Sequence, residues 1–280
     1  MTETVAIILA AGISSRMNPA PPAGDGVNTH IPKVLHQVCG RPMLSYVLDA
    51  CRRAGVAKIY VVVGYGGQHV KETFSTDSDI VWVNQQHQKG TADAVLCCKE
   101  HLADFDGETL VLCGDGPLVR PQTLKTLIET YRDEKPALVL ATAVLDDPTG
   151  YGRVIRSENG NITGIVEHND CTDEQLRIRE INPSYYLFNN KILFEALQKV
   201  KPDNVKKEYY LTDALSIIIA AGHKVTAIPA VRPEEAMGIN DRAQLDKVNK
   251  IMRQRLTQKL VNDSKNGIVT ALPKQTDKAG

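Results

Sequence analysis

The sequence predicts an α/β protein built on a doubly wound, mostly parallel sheet, and three observations carry that prediction. Short apolar, β-rich runs recur along the first half, at residues 5–10, 59–63, 80–83, 109–113 and 137–142. These runs are nearly continuous in apolar residues rather than alternating, as strands covered on both faces of a parallel sheet must be. Longer segments with helical spacing lie between them, so strand and helix alternate, and right-handed crossovers then place helices on both faces.

Each element follows from its own residues. Met43, Val47, Leu48, Cys51 and Ala54 share one helical face; so do Ala94, Leu96, Cys97 and Leu102, and again Leu124, Leu127, Ile128 and Tyr131. After about residue 145 the texture becomes mixed. Tyr151-Gly-Arg-Val, Gly160-Asn-Ile-Thr-Gly164 and Ile181-Asn-Pro-Ser-Tyr185 predict short strands between turns, followed by helices over 211–221 and 242–260. One domain is expected over 1–270, with a first part over about 1–145, a second over about 146–240 and a C-terminal helix over about 241–262. Residues 271–280 are expected to be a polar tail that frays. The Pro/Gly-rich stretch 18–30 reads as an exposed loop beside the ligand edge of the sheet, a neutral insertion or, from its position, a lid.

Composition excludes several function classes. The 280 residues carry 33 Lys+Arg against 33 Asp+Glu, so there is no net charge to attract nucleic acid or an anionic membrane. No apolar stretch approaches the roughly 20 residues that span a bilayer. The first residues are acidic and the run after them is broken by Gly12 and Arg16, unlike a signal peptide, so a cytoplasmic location is expected. Six cysteines show no C-x-x-C pair or zinc spacing, so reduced, mostly buried thiols are expected. The seven histidines form no H-E-x-x-H pair.

The residues suited to chemistry gather where strands end, the edge at which open parallel sheets bind ligands. The first strand runs into Leu9-Ala10-Ala11-Gly12, followed by Arg16: small residues let backbone N–H groups approach a phosphate, and the guanidinium supplies a forked donor. A tight turn with a surface arginine fits equally well. Lys33, after Pro32, offers a second cation, or a solvated side chain. Asp115 follows the apolar run 109–113 directly, the place for a carboxylate that holds Mg²⁺ together with substrate phosphates, or one that caps a turn with Gly116 and Pro117. In Gln85-Gln-His-Gln88-Lys-Gly90-Thr91 the carboxamides suit the imide edge of a pyrimidine, while a polar loop with Thr91 capping the next helix explains the same residues.

Taken together these stretches resemble the sugar-1-phosphate nucleotidyltransferases. The motifs are Leu9-Ala-Ala-Gly-x-x-x-Arg16-Met, Pro32-Lys-Val-Leu, Gln85-x-x-Gln88-x-Gly90-Thr-Ala, Gly114-Asp-x-Pro-Leu, Tyr151-Gly-Arg, Ile165-Val-Glu167, Glu180-Ile-Asn182, Glu208-Tyr-Tyr-Leu-Thr-Asp213 and Gly238-Ile-Asn240. Within that family they are similar to the uridyltransferase domain of the bifunctional N-acetylglucosamine-1-phosphate uridyltransferase / glucosamine-1-phosphate acetyltransferase. The resemblance implies a Rossmann-like fold of the nucleotide-diphospho-sugar transferase type, a nucleotide-binding first part and a sugar-binding second part. It implies conversion of UTP and N-acetylglucosamine 1-phosphate to UDP-N-acetylglucosamine and pyrophosphate with Mg²⁺ as cofactor. It places Leu9, Ala10, Ala11, Gly12, Gln85, Gln88, Gly90 and Thr91 around the nucleoside, and Gly152, Glu167, Asn182, Tyr209 and Thr212 around the sugar. Asp115 and Asn240 would hold the metal, with Arg16 and Lys33 as catalytic cations on the phosphates.

The chain departs from the family pattern at several places. Gly12-Ile13-Ser14-Ser-Arg16 lacks a lysine and a glycine of the usual Gly-Lys-Gly-Thr-Arg, and Pro183-Ser184 stands where Thr-Gly is usual. No hexapeptide repeats of an acetyltransferase β-helix follow residue 270, so a stand-alone or truncated uridyltransferase is expected, monomeric or weakly oligomeric because that β-helix builds the family's trimer. Two other readings compete: the same chemistry on another sugar phosphate, such as glucose 1-phosphate with UTP or dTTP, and a nucleotide-sugar sensor without turnover.

Overall fold

A computed structural model of the chain describes residues 3–12, 17 and 31–265. In chain order it forms β1 (Thr4–Ala10), β2 (Gln37–Val38), β3 (Arg41–Pro42), α1 (Met43–Ala54), β4 (Lys58–Val63), α2 (Gly67–Thr73), β5 (Ile80–Asn84), α3 (Thr91–Leu96) and α4 (Lys99–Leu102). There follow β6 (Glu108–Cys113), α5 (Pro121–Glu134), β7 (Leu138–Val144), β8 (Gly152–Arg156), β9 (Ile162–Val166), α6 (Asp173–Leu176), β10 (Glu180–Asn189), α7 (Asn190–Leu197), α8 (Leu211–Ala220), β11 (Val225–Ile228) and α9 (Arg242–Lys265).

The main sheet runs β11-β7-β10-β6-β1-β4-β5, with β8 paired to β10 and β9 to β8. β1 pairs in parallel with β4 on one side and β6 on the other, bringing Leu9 opposite both Val62 and Cys113. The chain therefore leaves β1 toward β4 and β5, then crosses back to β6. That reversal opens a crevice at the strands' carboxyl ends.

Both faces of the sheet are covered, as the apolar strand runs predict. Along β1, Ala6, Ile8 and Ala10 face one core with α1 and α5, while Val5 and Ile7 face a second core with α3, α7 and α8. The period of two in a strand makes this division automatic. Val248 and Met252 of α9 join the first core.

The structure corrects the sequence reading in four respects. The second half contributes to the same sheet through β10, a ten-residue strand antiparallel to both β6 and β7, rather than through short strands alone. The segment read as one helix through Leu102 breaks into α3 and α4, because at Cys98 the backbone N–H bonds to Val95 in a tightened turn. Cys51 and Cys98 are buried, but Cys39, Cys97, Cys113 and Cys171 are only half-buried, and all six are free thiols. The helices α2 and α7 and strand β11 are additional. Among the described residues no helix is long and apolar enough to cross a membrane.

β10 loses register with β7 between Ile181 and Tyr185, and within this bulge Ser184 adopts φ +65°. A left-handed conformation costs an L-residue about 1 kcal/mol or more, a cost that glycine avoids. Ser184→Gly should therefore be more stable than Ser184→Ala by about 1 kcal/mol in urea unfolding, a comparison that isolates the backbone from the lost hydroxyl. Equal stability of the two variants would refute backbone strain at this position.

Candidate active site

The carboxyl ends of β1 and β6, the loop after β5 and the segment before α8 enclose a cavity of about 450 Å³. Leu9, Ala10, Ala11, Gly12, Lys33, Gln85, Gln88, Gly90, Thr91 and Asp115 all line it. A smaller cavity of about 50 Å³, which shares Leu9, Thr91 and Cys113 with the first, is lined by Glu167, Ser184, Tyr186 and Thr212. The residues expected at the nucleoside thus surround one cavity, and Glu167 and Thr212 adjoin it.

At one wall Lys33 sits between two oxygen donors. Its Nζ bonds to Asp115 Oδ2 and donates to Asn240 Oδ1 at 2.7 Å. The Lys33 side chain is only 15% exposed, so it is not the solvated lysine that the sequence allowed. Asp115 is placed by the end of β6, and Asn240 by the turn into α9, where Ile239 N–H donates to the Asp115 carbonyl at 3.1 Å. A carboxylate and an amide oxygen converging on one ammonium form a donor set of the type a hard cation takes. Among the described residues no three His, Cys, Asp or Glu side chains come together as a metal cluster.

The loop after β5 is held from outside. Tyr209 N–H donates to the Lys89 carbonyl at 2.8 Å, and the Tyr209 carbonyl accepts from Ala92 N–H at 2.9 Å. Gly90, at φ +125°, lies inside that clamp: a Cβ there would come within 2.4 Å of the Tyr209 oxygen. Thr91 does not cap its own helix; its hydroxyl accepts from Leu211 N–H at 2.9 Å, capping the start of α8. Gln85 is buried and turned inward, its amide donating to Asp93 at 2.8 Å and Gly90 at 3.2 Å. Gln88 is exposed and lies over Gly64, where an added Cβ would meet its Nε2 at 2.5 Å. Gln88 is therefore the carboxamide placed to reach a ligand, and Gln85 the brace beneath it.

On the other side of the cavity, Thr212 donates to Glu167 Oε1 at 3.1 Å, and a Cβ on Gly152 would lie 3.4 Å from Glu167 Oε2. Burial pushes the Glu167 carboxyl above its usual value, against the pull of Thr212 and Lys206. Asn182 is buried and committed internally, its amide donating to the Tyr186 hydroxyl at 2.5 Å and its oxygen accepting from Ser184 N–H at 2.9 Å. Tyr209 contributes the backbone clamp already described. Cys113, Tyr186 and Gly64 line or shape these cavities without having been singled out for the site by the sequence, since an ordinary strand cysteine or tyrosine carries no spacing signal; Ser184, noted as a departure from the family pattern, lines the smaller cavity. Arg16, Ile13, Ser14 and the stretch 18–30 lie outside the described residues.

Two consequences are measurable. Gly90→Ala should weaken UMP binding about tenfold or more by calorimetry, because its Cβ cannot coexist with the Tyr209 backbone. Glu167→Gln should stabilise the protein at pH 7. A raised folded-state pKa means the folded protein holds its proton more tightly, so stability falls as pH rises through that range. The gain should vanish below the ordinary value of 4.5; a gain that persists there would show that the charge is not its cause.

Comparison with known proteins places this geometry. Residues 6–207 match the family described as the MobA-like NTP transferase domain. The chain is 40% identical over 276 residues to the "Bifunctional protein GlmU" of Listeria innocua, covering 99% of this chain and 57% of that protein. It is 40% identical over 261 residues to the protein of the same name from Geotalea daltonii, covering 93% of this chain and 55% of the relative. The chain thus spans a little over half the length of these relatives. A UDP-glucose pyrophosphorylase solved with UDP-glucose has the same fold, with a TM-score of 0.70 at 17% identity over 91% of this chain and all of the other. So does a putative glucose-1-phosphate thymidylyltransferase from Bacillus anthracis, with a TM-score of 0.71 at 19% identity over 89% of this chain and 95% of the other. With the family model covering residues 6–207 and the fold shared with these structures, the chain belongs to the MobA-like NTP transferase family.

Proposed function

We propose that the chain transfers a uridylyl group from UTP to N-acetylglucosamine 1-phosphate, releasing UDP-N-acetylglucosamine and pyrophosphate. The observation that carries the reading is the convergence of Asp115 and Asn240 on Lys33, where Lys33 and Asp115 line the same cavity as Gln88 and Gly90, and the Glu167–Thr212 pair lines the smaller one that adjoins it. The family membership, the likeness to the GlmU proteins and the order of the sequence motifs support it.

In this reaction an oxygen of the sugar phosphate attacks the α-phosphorus of UTP as the bond to the β-phosphate oxygen breaks, and that electron pair leaves with pyrophosphate. No protein nucleophile is needed, so the protein's work is positioning and charge neutralisation. Gln88 and the Gly90 backbone orient the base, Leu9 to Gly12 admit the nucleotide closely, and Glu167 with Thr212 meets the sugar's hydroxyls. Lys33 supplies a positive charge at the phosphates, a role shared with Arg16.

The oxygens of Asp115 and Asn240 fit Mg²⁺, because both already converge on a cation, the Lys33 ammonium. When bound, the metal would neutralise phosphate charge.

Pyrophosphate release with UTP and Mg²⁺ tests the reading across N-acetylglucosamine, glucose and galactose 1-phosphates. Release confined to the acetamido sugar is expected. Release with another sugar phosphate moves the specificity, and silence with all three alongside UDP-sugar binding identifies a sensor. Asp115→Ala should abolish turnover with the fold intact, and Lys33→Met should lower kcat about 10²–10³-fold, the scale of a preorganised electrostatic group. Near-normal activity of Asp115→Ala would sink the metal assignment.

A further inference from the structure

Away from the cavity, a second group of charges joins the two segments that carry Asp115 and Asn240. Glu235 is fully buried, at 0% exposure. Its Oε1 accepts from the Arg120 backbone N–H at 2.9 Å, and its own carbonyl accepts from the Tyr185 hydroxyl at 2.9 Å. The guanidinium of Arg120 approaches the same carboxylate at 3.8 Å and pairs with Glu234 at 3.0 Å. From α9, Arg255 donates to the Leu118 carbonyl at 2.6 Å.

A buried carboxylate is expensive, and this one is not there merely to end a helix. Arg120 is the residue preceding α5 and provides no side-chain cap. Ser, Thr, Asp or Asn at that position would cap α5 locally. The acceptor comes instead from Glu235, in the segment that leads to Asn240. Glu235 thus ties the far end of the Asp115 segment to the start of the Asn240 segment, and the bond from Ile239 N–H to the Asp115 carbonyl ties their near ends. Two ties leave little freedom in the separation of Asp115 and Asn240. Arg255 pins the middle of the first segment to α9.

We propose that Glu235 is a positioning residue which sets the spacing of the Asp115 and Asn240 oxygens for a divalent cation, with Arg255 as its support. This rests on the reading that those two residues hold the metal. Partners behind metal ligands typically change metal affinity 10–100-fold when removed.

The test is Mn²⁺ binding to the full chain without nucleotide, read from the electron paramagnetic resonance of free Mn²⁺. UMP affinity is measured in parallel as a control for the rest of the site. Glu235→Ala should weaken Mn²⁺ about tenfold or more with UMP binding unchanged, and Glu235→Gln, which keeps an acceptor for Arg120 N–H, should restore most of it. Arg255→Met removes the support from a partly exposed position and should weaken Mn²⁺ in the same direction, so it carries the test if Glu235→Ala fails to fold. Folded variants with wild-type Mn²⁺ affinity overturn the proposal, as does a parallel loss of Mn²⁺ and UMP binding, which would make Glu235 a residue of the fold only. Asp115→Asn is the reference: if it binds Mn²⁺ as the wild type does, the metal reading itself fails, an outcome distinct from a weakened Asp115→Asn beside an unaffected Glu235→Ala.

Discussion

The parallel pairing of β1 between β4 and β6 is the constraint from which the site follows. Its register sets Leu9 beside Cys113 and Ala10 beside Val63, so the turn after β1, the Asp115 turn after β6 and Gly64 after β4 leave the sheet at one level. Side chains buried on both faces hold that register, because a slip of one residue would exchange the two cores and expose neither set to its partners. Lys33 needs no strand of its own. It is brought to Asp115 by the short turn after Pro32, and the ion pair forms because both strand ends already point there.

What the sequence made legible divides along this line. The strand runs and the helix faces are encoded in local periodicity, which is why β1, β4, β5, β6 and β7 and the helices α1 and α5 fall where the pattern puts them. β10 was hidden by its own sequence. Pro183 and Ser184 interrupt its pattern and suggest a turn, whereas tertiary pairing with β6 and β7 on either side carries the strand through a bulge. The same limit applies to Thr91: its spacing to the following helix fits a local cap, but the acceptor is spent on α8, a partner far along the chain. Gln85 and Gln88 look alike in sequence, and only burial separates the brace from the side chain left facing the cavity.

Among the described residues, charges at the cavity and behind it are answered within the protein before any ligand arrives. Lys33 answers Asp115, and Arg120 stands over Glu235, while Glu167 has a hydroxyl partner in Thr212 and a raised affinity for its proton. Preorganisation of this kind fixes charged side chains before any ligand arrives. It also explains the distribution of rigid positions. Gly90 is clamped by the Tyr209 backbone on the loop after β5, and Ser184 is held in a left-handed conformation in the bulge of β10, each bordering a cavity.

The two strained or clamped positions differ in a way that bears on specificity. Gly90 has no side chain, so its clamp fixes a backbone surface at the larger cavity. Ser184 accepts a conformation glycine would adopt without cost, and its hydroxyl lies within hydrogen-bonding reach of Cys113 and Tyr186. That hydroxyl occupies part of the wall of the inner 50 Å³ cavity beside Glu167 and Thr212. A polar group held against its backbone preference at such a wall narrows the space and adds a hydrogen-bonding surface to it. A sugar that leaves those groups unpaired is penalised more than one that merely fills less space. If the proposed sugar lies against this wall, its selection rests on hydrogen bonding more than on volume, and the backbone of the β10 bulge takes part in it.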